Sequence, residues 1–201
     1  MAKTESTFVN MLVVLTTITC ISAAILGAVY ELTKSPIAEV EKQKQLSAIR
    51  MVAPEFDNSP ADEKKTIEVD GNTVSIFPAR KGGELVGAAI ESFTTNGFSG
   101  YIKVMVGFEK DGTIRNYSVL QHQETPGLGS KMQDWFRADK NNQSIIGINP
   151  SQTPLTVKKD GGSIDAITAA TISSRAFLDA VKRAYEQYLI FENEKGGSTN
   201  E

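Results

Sequence analysis

An uninterrupted apolar segment near the N-terminus is the feature that most restricts how this chain can fold. It runs from Phe8 to Tyr30 as FVNMLVVLTTITCISAAILGAVY, and no charged side chain lies within it. About 20 such residues in a helix span the hydrocarbon core of a bilayer. A secretory signal peptide has a shorter apolar region and a small-residue cleavage site, whereas this run continues into Glu31 and Leu32. The sequence therefore predicts a retained membrane anchor over residues 1–33.

The flanks of the anchor indicate its orientation. Lys3 and the amino terminus mark the short side, and the other side carries both acidic and basic residues, so the charge bias favours a cytoplasmic N-terminus. Cys20 raises the alternative of a lipoprotein, but Thr19 precedes it where a small residue is usual, and apolar residues continue after it. We therefore expect a single-pass protein of the cytoplasmic (inner) membrane whose domain lies on the periplasmic, extracytoplasmic side.

Composition excludes several classes of function. A formal net charge of -3 gives no polybasic surface suited to nucleic acid. The only histidine, His122, and the only cysteine, Cys20, cannot assemble a zinc or haem site of the usual ligand count. No nucleophile, base and orienting acid stand out as a hydrolytic triad. The sequence predicts no metal site, no catalytic residue of its own and no nucleic acid partner.

The remaining length suits one domain of about 150 residues, preceded by a short linking segment. Residues 34–62 are predicted as a stalk or a packed first helix, because Pro36 is followed by the charged run IAEVEKQKQLSAIRMV. Pro54 and DNSPADEKK end that segment. Residues 63–192 are predicted as the domain, and residues 193–201 as a flexible tail.

The pattern of residues 63–192 is typical of an α+β fold. The runs TIEV, TVSIFPA, ELVGAAIESF, GYIKVMVGFE and TIRNYSVLQH are β-branched or alternating and are separated by Asp-Gly, Gly-Gly and Asn-Gly pairs, which predicts a twisted antiparallel sheet of hairpins. A short helix is predicted over 128–138, a further strand over 154–158, and a closing helix that packs on the sheet. The apolar stripe of that helix comprises Phe177, Ala180, Val181, Ala184, Tyr185 and Tyr188.

Three segments contain glycines or hydroxyls that packing alone does not require: residues 96–112, 122–132 and 165–175. The last, DAITAATISSR, is the most informative because it precedes the closing helix. It brings hydroxyls and free backbone N–H groups to a helix N-terminus, which suits an anion such as phosphate. Those hydroxyls belong to Thr168, Thr171, Ser173 and Ser174.

Plainer interpretations of these residues remain open. Serine and threonine before a helix are its usual capping residues. The ETPGLG segment can be a tight turn in which Pro126 fixes one φ and Gly127 or Gly129 takes a positive one. His122 beside Glu124 can be a surface pair.

In their order, the segments GFSGYIKVMVGFEKDGTI, HQETPGLG and DAITAATISS closely resemble the FMN-binding domain of the G subunit of the Rnf ion-translocating electron transport complex. They are also similar to the C subunit of the sodium-pumping NADH:quinone reductase. The resemblance covers essentially the whole chain, and the short chain favours the Rnf family. It implies one FMN-binding domain behind one membrane helix, in an electron-transfer subunit of a membrane-bound ion-translocating ferredoxin:NAD oxidoreductase, a translocase that is not catalytically complete in this chain alone.

The resemblance also implies how the flavin is held. The family attaches FMN through its phosphate to the threonine of a Ser/Thr-Gly-Ala-Thr motif, which matches Thr168-Ala169-Ala170-Thr171 here and makes Thr171 the acceptor. Ala169 stands where the family usually has glycine, which matters if that position needs a positive φ. Thr168 and Ser173 are the alternatives for the linkage.

Further contacts follow from position in the motifs. Gly127, Leu128 and Gly129 would let the backbone approach the flavin ring, and Glu124 and Thr125 would hydrogen-bond its polar edge or the ribityl chain. The expected flavin-binding set is Asp165, Thr168, Ala169, Ala170, Thr171, Ser173, Ser174, Glu124, Thr125, Gly127, Leu128 and Gly129. Within it, Asp165 would assist the flavin transferase that attaches the cofactor.

The expected partners are the other membrane and redox subunits of the complex, together with the flavin transferase. A membrane-tethered flavin sensor or binding module is an alternative, although few residues precede Phe8 to form a cytoplasmic output domain. A plain extracytoplasmic binding domain without cofactor, in which DAITAATISS only caps a helix, is the other alternative.

Overall fold

The computed structural model describes residues 7–196, so residues 1–6 of the predicted anchor, Lys3 among them, lie outside the described part of the chain. Helix α1 spans Phe8–Val52, and among the described residues it is the one helix whose length and apolar composition suit a membrane crossing. The chain divides into two compact units, Met1–Lys44 and Gln45–Glu201. Pro36 lies inside α1, so the helix predicted after Pro36 is a continuation of α1 and not a separate element. Strong helix formers such as Glu, Lys, Gln and Ala follow Pro36 and offset the hydrogen bond that a proline removes.

Five strands form one antiparallel sheet in the order β1-β2-β3-β4-β5, which confirms the predicted meander. Their bounds are β1 Lys65–Val69, β2 Asn72–Lys81, β3 Glu84–Gly97, β4 Gly100–Glu109 and β5 Ile114–His122. The first hairpin shows why the turn pairs matter: Asp70 and Gly71 have φ values of 50° and 70°, and Val69 pairs with Asn72. A two-residue loop with both φ values positive matches the twist of the flanking strands.

Helix α3, Thr171–Gly196, covers one face of the sheet, and the predicted apolar stripe is buried along it. Phe177 stacks on Phe136 with ring centroids 4.6 Å apart and meets Tyr117 edge-on at 4.8 Å. The predicted flexible tail begins at residue 193, but α3 continues to Gly196, and residues 197–201 lie outside the described part of the chain. The core of the domain therefore lies between α3 and the sheet.

The end of α1 covers the opposite face of the sheet. Ala48, Ile49 and Val52 are buried there against a second apolar cluster that includes Phe77 and Met105. Beside this cluster, Gln45 Nε2 donates to Glu91 Oε2 at 2.6 Å, and Lys103 Nζ lies 3.0 Å from Glu91 Oε1. Glu91 is buried, so these two contacts satisfy a carboxyl group that is costly to bury alone. The second half of the predicted stalk is thus part of the domain core.

Two other predictions differ from the structure. The strand expected over residues 154–158 is absent from the sheet: Val157 forms an isolated parallel bridge to Ile164, and a 3-10 turn follows at Lys158–Asp160. Leu155 and Val157 are buried in the main core, so their alternation reflects burial of a loop and not pairing with a strand. The short helix expected over 128–138 is a 3-10 turn, Gly129–Lys131, followed by helix α2, Met132–Trp135.

Candidate functional site

The three singled-out segments meet at one end of the domain. The turn between β3 and β4, the loop after β5 and the N-terminus of α3 together enclose a pocket of about 330 Å³. This volume is at the lower end of the range for small-molecule sites, so a drug-sized ligand would stay partly exposed. The lining residues are Phe98, Glu124, Thr125, Leu128, Gly129, Ala169, Ala170, Thr171, Ile172 and Ser173.

Most of the predicted flavin-binding residues line this pocket. The exceptions are Gly127, Asp165, Thr168 and Ser174, which are absent from its lining. Phe98 and Ile172 also line it; both lie in the segments singled out from the sequence, but neither is among the predicted flavin-binding residues. Each is an exposed apolar side chain, 66% and 49% accessible, in a place where polar residues are usual: a hairpin turn and the first turn of a helix. That placement is the sequence pattern that could have revealed them.

Glu124 joins the three segments. Its carboxyl group is buried and accepts the Ser99 N–H at 2.9 Å on Oε1 and the Ser173 hydroxyl on Oε2. His122 Nδ1 accepts the Glu124 backbone N–H at 3.2 Å, so this histidine orders the loop and is not simply a surface neighbour. Glu124 was expected to hydrogen-bond the flavin, yet its side chain is already bonded to protein groups. Its position beside the pocket makes it a support of the pocket wall.

The N-terminus of α3 presents unbonded backbone amides. Ser174 N–H donates to Ala170 O at 3.0 Å, so the amides of Thr171, Ile172 and Ser173 precede the first i to i−4 bond of the helix. Ala170, the residue before the helix, has no side-chain oxygen to cap them. The helix dipole adds positive potential at the same place. This end of α3 is therefore suited to an anion.

The serines of the motif do not act as ordinary helix caps. Ser174 is fully buried; its hydroxyl accepts the Ile167 N–H at 2.9 Å and donates to Ala170 O at 2.9 Å, which fixes the loop entering the helix. The Ser173 hydroxyl donates a hydrogen bond to Glu124 Oε2. Thr171 is different: it is half-buried at the pocket, and its hydroxyl accepts from Lys159 Nζ at 3.2 Å.

Asp165 is held away from the pocket lining by its own partners. Its carboxylate lies 2.8 Å from Lys158 Nζ and accepts the Asn142 N–H at 3.1 Å, and both bonds, the first most strongly, lower the pKa of Asp165. Trp135 Nε1 donates to the Asp165 carbonyl at 2.9 Å. These contacts secure the start of the motif, and a role toward the flavin transferase remains a prediction. Thr168 is exposed in the same loop.

Ala169 adopts a backbone conformation that favours glycine. Its φ is 62°, in the left-handed region, and its side chain is exposed. For an L-residue with a Cβ atom this conformation costs roughly 1–2 kcal/mol. The departure from the motif noted in the sequence is therefore a locally strained position, directly before the pocket residue Ala170.

We expect Ala169→Gly to stabilise the domain by up to about 1 kcal/mol. Glycine removes the penalty of the left-handed conformation from the folded state. It also gives the unfolded chain more conformational freedom, which lowers the free energy of unfolding by roughly 0.4–1 kcal/mol. Thermal unfolding of the full chain in detergent would measure the net stabilisation as a rise in Tm of about 2–4 °C at most. The matched control is Ala166→Gly, where φ is not positive and glycine should only destabilise. A fall in Tm for Ala169→Gly would show that the left-handed backbone conformation of Ala169 does not strain the folded domain.

The site combines an apolar surface with an anion-binding helix end. Phe98, Leu128 and Ile172 expose apolar side chains at the pocket, and the free amides of α3 lie beside Thr171. Such a pair of surfaces fits a ligand made of a flat apolar ring system and a phosphate, as in FMN. Fold and site together define an FMN-binding domain. In agreement, residues 97–186 match the family described as "FMN-binding domain".

Comparison with curated proteins identifies the family. The chain is 33% identical over 183 residues to the G subunit of the ion-translocating oxidoreductase complex of Vibrio cholerae serotype O1 (strain ATCC 39315 / El Tor Inaba N16961), with 86% of each chain covered. The protein of that name from Aliivibrio fischeri (strain MJ11) is 36% identical over 183 residues, again with 86% of each covered. That from Stutzerimonas stutzeri is 35% identical over 166 residues, covering 78% of this chain and 70% of the relative. The chain belongs to this family, the G subunits of Rnf-type ion-translocating oxidoreductase complexes, and it is an electron-transfer flavoprotein subunit.

Proposed function

We propose that the chain carries FMN joined through its phosphate to Thr171. One observation carries this proposal: the Thr171 hydroxyl stands at the pocket, at the start of α3, beside amides that no helical carbonyl satisfies. When bound, FMN supplies the redox chemistry, while the protein supplies position and electrostatics. The amides and dipole of α3 hold the phosphate, and the apolar side chains around the pocket shield part of the ring from water.

The geometry favours Thr171 over the two alternative attachment residues. Ser173 is 2% exposed, and its hydroxyl already donates to Glu124, so a phosphoester there would break a buried hydrogen bond. Thr168 is exposed but does not line the pocket. Thr171 combines partial exposure with a place in the lining.

In the wider function that we propose, the flavin passes electrons within a membrane-bound ion-translocating ferredoxin:NAD oxidoreductase. The partners would be the integral membrane subunits and neighbouring redox subunits of that complex, and a flavin transferase would attach the cofactor. The helix α1 would anchor the chain with its N-terminus in the cytoplasm and the FMN domain on the extracytoplasmic side. A covalent bond there prevents the loss of a cofactor that cannot be recaptured from the cytoplasm.

The decisive experiment is to co-produce the full chain with a flavin transferase, purify it and denature it. We expect in-gel flavin fluorescence and a mass increase equal to FMN minus one water. If the flavin leaves on denaturation and the mass of the chain does not increase, FMN binds without a covalent bond.

Two further experiments test the partners and the orientation. Co-purification with multi-spanning subunits would support the carrier role. Alkaline phosphatase fused after residue 192 should be active only if the domain is extracytoplasmic.

A further inference from the structure

We propose that Lys159 is the counter-ion of the anion carried on Thr171, so that it is a positioning residue for the FMN phosphate. The inference rests on the proposed function, because the phosphate is the anion that this function places there. The observation is a direct contact: Lys159 Nζ donates to Thr171 Oγ1 at 3.2 Å, across a sequence separation of 12 residues.

The turn that carries Lys159 is fixed on both sides. Lys158 binds Asp165 at 2.8 Å, and Asp160 accepts two hydrogen bonds from Arg175, at 2.7 Å and 2.6 Å. The Arg175 pair also lowers the pKa of Asp160. These neighbours attach the 3-10 turn to the start of the motif and to the first turns of α3, so the lysine between them is directed at the helix end.

The nearby Asp160 carboxylate attracts the Lys159 ammonium group, but Lys159 forms no ion pair in the described part of the chain. In the described part of the chain, no carboxylate lies within the 4.0 Å ion-pair distance of its ammonium group, since Asp160 is taken by Arg175 and Asp165 by Lys158. Its hydrogen-bond partner is a neutral hydroxyl at the positive end of a helix dipole, where cations are disfavoured. Functional sites are where a protein tolerates such an unfavourable placement, here a cation at the N-terminal end of a helix. A phosphate ester on Thr171 would satisfy the ammonium group and the helix amides together.

The test compares Lys159→Gln in the full chain with and without attached FMN. With FMN, we expect the variant to have a lower Tm than the wild type and to acquire flavin several-fold more slowly from the transferase. Without FMN, its Tm should be unchanged or higher, because a cation leaves the positive helix end. The lower Tm of the flavin-bearing variant should approach that of the wild type in high salt.

Lys182→Gln is the matched control, since it removes the same charge from an exposed site further along α3. It should shift the Tm equally in the two forms. Lys159 is a surface residue without this role if Lys159→Gln also shifts both forms equally. A Tm that falls in the flavin-bearing form, and does not fall in the form without FMN, is therefore the outcome that supports the proposal.

A second comparison keeps this inference separate from the proposed function. Lys159→Gln should lower the Tm more in a Thr171→Glu background, which supplies a carboxylate without flavin, than in a Thr171→Gln background. If the wild type takes no flavin but this coupling is present, the proposed function fails and Lys159 remains an anion partner. Equal effects in the two backgrounds overturn the role of Lys159 whether or not the wild type is flavinylated.

Discussion

Thr171→Ala should abolish covalent flavin attachment completely while leaving the domain folded. The change removes the hydroxyl that would form the phosphoester, and the other motif hydroxyl in the pocket lining, that of Ser173, is already bonded to Glu124. Thr171 is half-buried, and its hydroxyl accepts from the exposed Lys159, so we expect a stability change within about 1 kcal/mol. The measurement is in-gel fluorescence together with the intact mass of the denatured chain.

Two variants control this experiment. Thr171→Ser keeps a hydroxyl at the same place and should retain the adduct, although attachment can be slower. Thr168→Ala should retain it fully, since Thr168 does not line the pocket. An adduct that persists in Thr171→Ala and disappears in Thr168→Ala would reassign the site to Thr168.

Gly129→Ala should destabilise the domain by about 1–3 kcal/mol and strongly reduce flavin loading. A Cβ atom at this buried position would lie 2.5 Å from Glu124 Oε2 and 2.5 Å from Ser173 Oγ. Neither group can move freely, because Glu124 is held by Ser99 on one oxygen and by Ser173 on the other. The methyl group would therefore separate the loop after β5 from the start of α3. Chemical denaturation of the full chain measures the loss.

Gly127→Ala separates this steric effect from backbone strain. Gly127 has a φ of 75°, and apart from Gly127 itself and its two chain neighbours no residue of the described chain comes within 4 Å of where the added methyl group would lie. Its replacement should therefore cost at most about 1 kcal/mol, because the left-handed penalty of roughly 1–2 kcal/mol is partly offset by the roughly 0.4–1 kcal/mol gained from a less flexible unfolded chain. Adding Ser173→Ala to Gly129→Ala removes one of the two clashing atoms, and the double change should cost less than the sum of the single ones. Strict additivity would show that the clash with Ser173 does not cause the loss.

The elements that local patterns determine were predictable from the sequence. The stripe from Phe177 to Tyr188 follows the helical period and is buried as expected, and the turn pairs mark the hairpins of the sheet. The strand expected over 154–158 failed because burial of Leu155 and Val157 in a loop gives the same alternation as a strand. Periodicity reports which side chains are buried, and not which partner buries them.

The sequence indicated which segments form the site, but it did not indicate the hydrogen bonds that connect those segments. Glu124 and Ser173 are 49 positions apart, so their hydrogen bond depends on the completed fold. The same is true of Lys159 and Thr171, which local patterns do not connect. Ala169 is intermediate: the motif indicated that a positive φ would matter there, and the φ of 62° is visible only in the folded backbone. Tertiary contacts thus determine which motif side chains remain available to a ligand.

The burial of the last turns of α1 on the sheet limits where a soluble fragment of this protein can begin. A fragment starting after Val52 would lose Ile49 and Val52 from the core and would leave the buried Glu91 without the hydrogen bond from Gln45. Truncation within residues 31–44 removes the apolar segment and keeps all of these contacts. Production of the isolated flavin domain, for spectroscopy or crystallisation, should therefore start upstream of Gln45 and not at the first strand.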